Sequence, residues 1–402
     1  MGSQPAILGG PPAFKEQVFI TRPAVPDRAQ FQRRVDGIFE SRCLTNDGPL
    51  VRELERRLQE WLQTDFCACF CNGTVALEIA LRALDLEGEV ITTPFTFPAT
   101  CHAVAWNGLT PVFCDVDPLT YNLDVRRVAD LVTDRTAAIL PVHVFGNPCD
   151  VVEIERLANA KGLKVIYDAA HAFGVRHRGR SIGMWGDLSM LSFHATKLFH
   201  TGEGGALVGP RRAAVDRIRL LRNFGIVNQN EVRGVGLNGK LSELHAAVGL
   251  GVLELVADEV SHRGAIAARY HSALAGVEGL LFQQLADDTD QNHAYFTIAV
   301  DAGRFGLTRD ELHQALLAEN VVTRKYFYPL CSENECYREL PSARPGNLPH
   351  AHELASRILC LPIYGTLSLE NVDRIAERVI AIRANADRVR PALAGRNPGQ
   401  PT

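Results

Sequence analysis

Lysine is scarce in this 402-residue chain, supplying six of the 42 basic residues while arginine supplies the rest. That skew is a weak hint of a GC-rich source genome and carries no chemistry of its own. Charge of one sign is also missing. The net charge is -4 and the isoelectric point near 6.4, which leaves no electrostatic footprint for nucleic acid. Ten cysteines occur without a CxxC pair, so a zinc framework has no sequence support. Cys67, Cys69 and Cys71 alternate at strand spacing and share one face, as small buried hydrophobes of a reduced cytosolic protein. The N-terminus lacks a positive stretch followed by an apolar run, and no apolar run reaches membrane-spanning length. The expectation is a soluble, cytoplasmic protein with no membrane partner. No GxGxxG follows the first strand-like run, which counts against an NAD-type oxidoreductase.

The chain is 46% hydrophobic and 22% charged, ordinary globular usage at a length that buries a sizeable core. Residues 1–16 are rich in glycine and proline and read as loose. Helical periodicity marks 28–41 and 49–62, with Val51, Leu54, Leu58, Trp61 and Leu62 on one face. From Phe66 to about Val208 short apolar runs alternate with helical segments. That alternation predicts an α/β fold with a large, mostly parallel sheet covered on both faces. Ligands in such sheets sit at the carboxyl ends of the strands. A long helical stretch follows over 240–266. Then come a strand over 294–300, a helix over 308–319, a strand-like run over 321–326 and a final helix over about 369–393, which read as a second, smaller α/β domain. The expected division is a large domain over 1–255, whose N-terminal segment packs on the small domain, a small domain over 256–394 and a disordered tail over 395–402.

Four segments sit where strands end or helices begin. Asn72-Gly73-Thr74 joins a strand to a helix; a glycine there lets backbone approach an anion, and free helix amides bind phosphate. An ordinary turn with Thr74 as N-cap is the plainer alternative. Asp168 follows the β-rich run 165–167, and a carboxylate buried at a strand end needs a cation or several donors. A protonated pyridine nitrogen would be such a partner; a capped turn is the competing reading. Lys197 lies in Ser192-Phe193-His194-Ala195-Thr196-Lys197, just before Thr201-Gly202-Glu203-Gly204-Gly205. Lysine is unusual in so apolar and glycine-rich a setting, and desolvation yields the neutral amine that imine chemistry requires. His194 reads as a packed histidine. In the fourth segment, 93–100, Phe95 and Phe97 point to the same side of an extended run, where one stacks on a flat ring or both pack in the core.

The order and spacing of these motifs resemble the fold-type-I pyridoxal-phosphate (PLP) enzymes of the DegT/DnrJ/EryC1/StrS sugar aminotransferase family, from about Val18 to Leu367. The resemblance implies a PLP-dependent transferase fold, with a seven-stranded-type sheet domain and a smaller C-terminal domain. It implies that Lys197 forms the Schiff base with PLP, that Asp168 pairs with the pyridine nitrogen, and that His171 stands near the phenolic oxygen. Gly73, Thr74 and Ser192 would hold the phosphate, and Phe97 would stack on the ring. Asn238 resembles the Asn that reaches the phosphate from the other subunit, which implies a homodimer with shared sites. Cys71-Asn72-Gly73-Thr74 departs from the commoner Ser-Gly-Thr. A sister branch of dehydratases has His in place of Lys197.

The segment 324–330 looks like the subgroup that aminates C4 of dTDP-4-keto-6-deoxy-D-glucose with L-glutamate as donor, for deoxyaminosugar biosynthesis. Arg222, Lys240, Arg324 and Lys325 are the candidate cations for the nucleotide, and Tyr326, Phe327 and Tyr328 an aromatic wall for the sugar, with core packing as the alternative. Action at C3 or on a UDP-linked ketosugar fits the same features. A non-catalytic PLP-fold binding or regulatory protein would lack the lysine or carry a DNA-binding segment, and neither is seen.

Overall fold

The computed structural model describes residues 4–210 and 214–394. Its centre is a seven-stranded sheet built from β1 (Phe66–Phe70), β2 (Glu89–Thr92), β3 (Thr110–Phe113), β4 (Thr136–Leu140), β5 (Lys164–Asp168), β6 (Leu188–Ser192) and β7 (Gly205–Gly209). The strand order is β1-β7-β6-β5-β4-β2-β3. Every pairing is parallel except those of β7, which runs against both β1 and β6. The carboxyl ends of β1, β5 and β6 therefore meet the start of β7 along one edge: Phe70 and Ser192 both pair with Gly205.

Period-two alternation sends the strand side chains to two separate cores. Cys67, Cys69, Ile139, Tyr167 and Val208 face helices α2 (Pro49–Leu62), α6 (Val151–Lys161) and α8 (Glu243–Leu253). Ala68, Phe70, Ala138, Ile166 and Leu207 face α3 (Gly73–Ala83), α4 (Pro98–Trp106) and α7 (Ala214–Arg222). The remaining large-sheet helices are α1 (Arg28–Ser41) and α5 (Val125–Leu131). Every cysteine is a free thiol; Cys67 and Cys69 are buried on one face, while Cys71, just past the end of β1, is only half-buried and not the buried hydrophobe expected.

A third core surrounds a small antiparallel sheet of β8 (Leu280–Leu281), β9 (Phe296–Val300) and β10 (Ile358–Leu361). Helix α9 (Val256–Leu274) bridges the cores, contributing Val256 to the first and Ile266, Tyr270 and Leu274 to the third. Helices α10 (Arg309–Ala318), α12 (Leu369–Ala384) and α13 (Ala386–Ala394) cover it, and α11 (Pro349–Arg357) precedes β10.

Several sequence expectations need correction. The first residues are not loose from residue 4 onward. Ile7 and Phe14 are buried in the third core, and the Glu319 carboxylate accepts the Ala6 and Ala13 N–H groups, both at 2.8 Å. The helical stretch 240–266 is two helices, α8 and α9, and the final one breaks at Asn385. Residues 321–326 make only isolated bridges, Val321 to Val18 and Arg324 to Cys360. The expected tail, 395–402, lies outside the described residues.

Candidate active site

A cavity of about 360 Å³ opens at the sheet edge where β1, β5 and β6 end. Among the residues singled out in the sequence, Asn72, Gly73, Thr74, Phe97, Asp168, His171 and Ser192 line it. Lys197 does so as well, and Arg324, Tyr326 and Phe327 close it from the side of the small sheet.

Helix α3 starts at the cavity. Asn72 is its N-cap, its Oδ1 accepting the Val75 N–H at 2.8 Å. The cap is thus Asn72 and not Thr74, which leaves the Thr74 side chain on the cavity wall. The first amides of a helix have no carbonyl within it to bond, so this end suits an anion. Two glycines make the approach possible. A Cβ on Gly73 would meet Met190 Sδ at 2.9 Å, and one on Gly205 would meet the Gly73 nitrogen at 2.6 Å.

Asp168 ends β5. Its Oδ2 accepts the Thr100 hydroxyl at 2.7 Å and its Oδ1 accepts the Ala170 N–H at 3.0 Å. Burial pushes this carboxyl above its ordinary range, while Thr100, the Ala170 N–H and the charge of Lys197 pull the other way. Thr100 is held in turn by Thr96, hydroxyl to hydroxyl at 2.8 Å. His171 accepts the Phe145 N–H on Nδ1 at 3.2 Å, so its proton sits on Nε2, and burial holds the ring neutral, well below the usual histidine range. Its ring lies nearly parallel to that of Phe327, 5.8 Å away at 8°.

Lys197 follows β6 in a turn whose backbone is fixed by the Lys197 N–H bonding the His194 carbonyl at 2.9 Å. Its Nζ donates to the Tyr295 hydroxyl at 3.2 Å. Burial lowers its pKa, against the raising influence of Asp168 and Tyr326. A partly desolvated lysine, a buried carboxylate and a helix N-terminus therefore face one cavity. This set fits PLP, which needs an amine for imine formation, an anion for its pyridinium and donors for its phosphate.

The sequence pattern of the DegT/DnrJ/EryC1/StrS aminotransferase family matches residues 26–380. The chain belongs to this family. Two relatives are named dTDP-4-amino-4,6-dideoxy-D-glucose transaminase. The one from Escherichia coli is 42% identical over 366 residues, covering 90% of this chain and 97% of the relative. The one from Shigella dysenteriae is 40% identical over 370 residues, covering 92% and 100%. The solved structure of DesI in the presence of its TDP-sugar product superposes with a TM-score of 0.90 at 39% identity, over 97% of this chain and 98% of that one. The chain is thus an aminotransferase, and the aminotransferases of its family are PLP-dependent.

Within the aminotransferase site, some expectations change. Phe95 and Phe97 do not share a side, because 94–96 bend: Phe95 is fully buried and packs edge-on to Phe327, while Phe97 is 60% exposed at the cavity. His194 is exposed at the cavity wall, not packed. Arg222 is not a cavity residue. Its guanidinium is buried against Glu55, the Cys69 carbonyl and Asp47, so it holds α2, β1 and α7 together. Lys240 bonds Asn238 Oδ1 at 2.7 Å, and Lys325 bonds Asp310 at 2.9 Å; neither lines the cavity. Tyr328 stands outside it, with the cations of Arg309 and Lys325 at 5.1 and 5.8 Å from its ring. Asn238 is exposed and does not line the cavity of its own chain. Two residues escaped the sequence reading, Thr100 and Tyr295. Thr100 stands four residues after Thr96, one helical turn, which is the only local signal; Tyr295 offered none.

Proposed function

We propose that this aminotransferase binds PLP at the cavity and moves the amino group of L-glutamate to the C4 keto group of dTDP-4-keto-6-deoxy-D-glucose. The observation that carries the reaction type is the convergence of Lys197 and Asp168 beside the start of α3. PLP, when bound, supplies an electron sink for the carbon that loses its proton. Lys197 provides the amine for covalent attachment and then carries the proton between the reacting carbons. Asp168 accepts from the pyridine nitrogen, and Thr100 and the Ala170 N–H hold its carboxylate in place. The Gly73 and Thr74 amides with the Ser192 hydroxyl bind the phosphate, Phe97 covers the ring, and His171 offers its Nε2–H to the phenolic oxygen.

The substrate rests on the likeness to two transaminases of that name and on the wall of the cavity. Arg324 is the cation on that wall, and Tyr326 gives an apolar face suited to a 6-deoxy sugar. The same reading makes the working unit a homodimer in which Asn238 of each chain reaches the other's phosphate. In support, Asn238 stands among exposed apolar residues, with Phe224, Val235 and Leu237 at 45%, 80% and 42% exposure. The test is kcat/KM for 4-keto and 3-keto 6-deoxy sugars under dTDP and UDP, with NMR of the product. The dTDP-linked 4-keto sugar should be preferred, with a C4 amine formed. A 3-keto or UDP preference would overturn the substrate, and turnover of no nucleotide sugar would overturn the function.

A further inference from the structure

Tyr295 lies just before β9, on the wall of the cavity that Lys197 also lines. Its hydroxyl accepts from Lys197 Nζ at 3.2 Å, which joins the small-sheet unit directly to the reacting amine. The ring is gripped from the side: His171 is edge-on at 4.8 Å, Phe145 tilted at 5.3 Å and Tyr326 edge-on at 6.0 Å. Behind it the packing is open. Tyr295 and Phe145 also wall a second cavity of about 270 Å³ under α9. Two smaller voids flank the Lys197 turn and again have Tyr295 on their walls. The hydroxyl is thus held by its neighbours' rings and not by tight filling. Burial raises its pKa, so it stays protonated in the working range.

His194, Glu203 and Arg324 line the same cavity as Lys197, but the groups that act on its charge are nearer. Asp168 and Tyr326 favour the ammonium, burial opposes it, and His171 is neutral. The Asp168 oxygens accept from Thr100 and Ala170, and the partner that the lysine meets at bonding distance is a neutral hydroxyl. A hydroxyl acceptor bonds an ammonium more strongly than an amine, yet it favours the ammonium less than a second carboxylate would.

We propose that Tyr295 is a positioning residue that anchors the free Lys197 amine from the small-sheet side and so fixes where its proton is held. The inference rests on the assignment of Lys197 as the reacting lysine. It adds a residue that acts on the chemistry through that amine.

The test compares the wild-type chain with Tyr295→Phe, which keeps the ring and its contacts and removes the acceptor. The cofactor-free, full-length chain is labelled with trace acetic anhydride across pH, and the Lys197 peptide is read by mass spectrometry. With six lysines in the sequence, each reports separately. Losing the acceptor should lower the Lys197 midpoint by about one to two units, since bonds to charged groups are of that size. The midpoints at Lys161 and Lys164 should stay where they are. In the loaded enzyme, the glutamate half-reaction should slow while glutamate affinity holds. Superimposable Lys197 curves in a variant with wild-type circular dichroism would overturn the proposal. That outcome would leave the substrate assignment standing, because the labelling uses no sugar.

Discussion

Thr100 shows what a single side chain contributes that its own segment does not announce. It gives Asp168 its shortest hydrogen bond, 2.7 Å, and opposes the upward pull of burial on that carboxyl. In Thr100→Val the Asp168 pKa should rise by about one unit and kcat/KM should fall about tenfold, with the fold unchanged; a pH–rate profile checks both. His143 makes a second prediction. Burial pushes its pKa from 6.5 down to about 3, and its Nδ1 accepts the Cys149 N–H at 3.0 Å. Between those two pH values the unfolded chain binds a proton that the native chain refuses. The stability from this group is therefore whole above pH 6.5 and declines as pH falls toward 3, by about 5 kcal/mol in total. Urea unfolding at pH 7.5 and pH 4 should show the decline, and His143→Gln should remove this share of it. The residues whose place at the cavity was legible in the sequence, Asp168, Lys197, Gly73 and Ser192, are those at or just past a strand end. Arg222 misled because a positive charge says nothing about its partner. Glu55, 167 residues away, already claims it.

At the scale of elements, the site depends on how closely β7 passes the start of α3. Glycine at 205 is required there, because a Cβ would sit 2.6 Å from the Gly73 nitrogen and backbone would have to move. In Gly205→Ala, PLP affinity should fall about tenfold or more, since a shift of the α3 amides near 1 Å misplaces both backbone donors proposed for the phosphate. Gly346→Ala is the control: nothing lies within 4 Å of its added Cβ, and its stability should change by less than about 0.5 kcal/mol. A titration of PLP absorbance against protein reads the first and urea unfolding the second. The alternating runs in the sequence were enough to anticipate a mostly parallel sheet. They did not disclose that β7 is antiparallel, because its apolar run looks like any other and its direction is set by pairing with distant strands. Nor did periodicity separate α8 from α9, since α8 is apolar nearly all round and residues 253–256 carry no proline or glycine to mark the break.

Across the whole molecule, the cavity is closed by two units that come from distant parts of the chain. Asp168 ends β5 and Lys197 follows β6 of the large sheet, while Arg324, Tyr326 and Phe327 come from the segment that bridges to β10 of the small one. The small unit is braced by the chain's own beginning, where Glu319 accepts two backbone N–H groups. Glu319→Ala leaves both amides without that acceptor and should destabilise the protein by about 3 kcal/mol, read by urea unfolding. Deleting residues 1–16 should do at least as much. Glycine and proline content made that segment look loose, because composition does not register Ile7 and Phe14 entering a core formed three hundred residues later. The account as a whole stands on Lys197. Borohydride reduction of the PLP-loaded enzyme, followed by digestion and mass spectrometry, locates the pyridoxyl group directly. The account predicts the label on the Lys197 peptide, abolished in Lys197→Ala. A label on any of the other five lysines, or none in an enzyme that still transaminates, would contradict it.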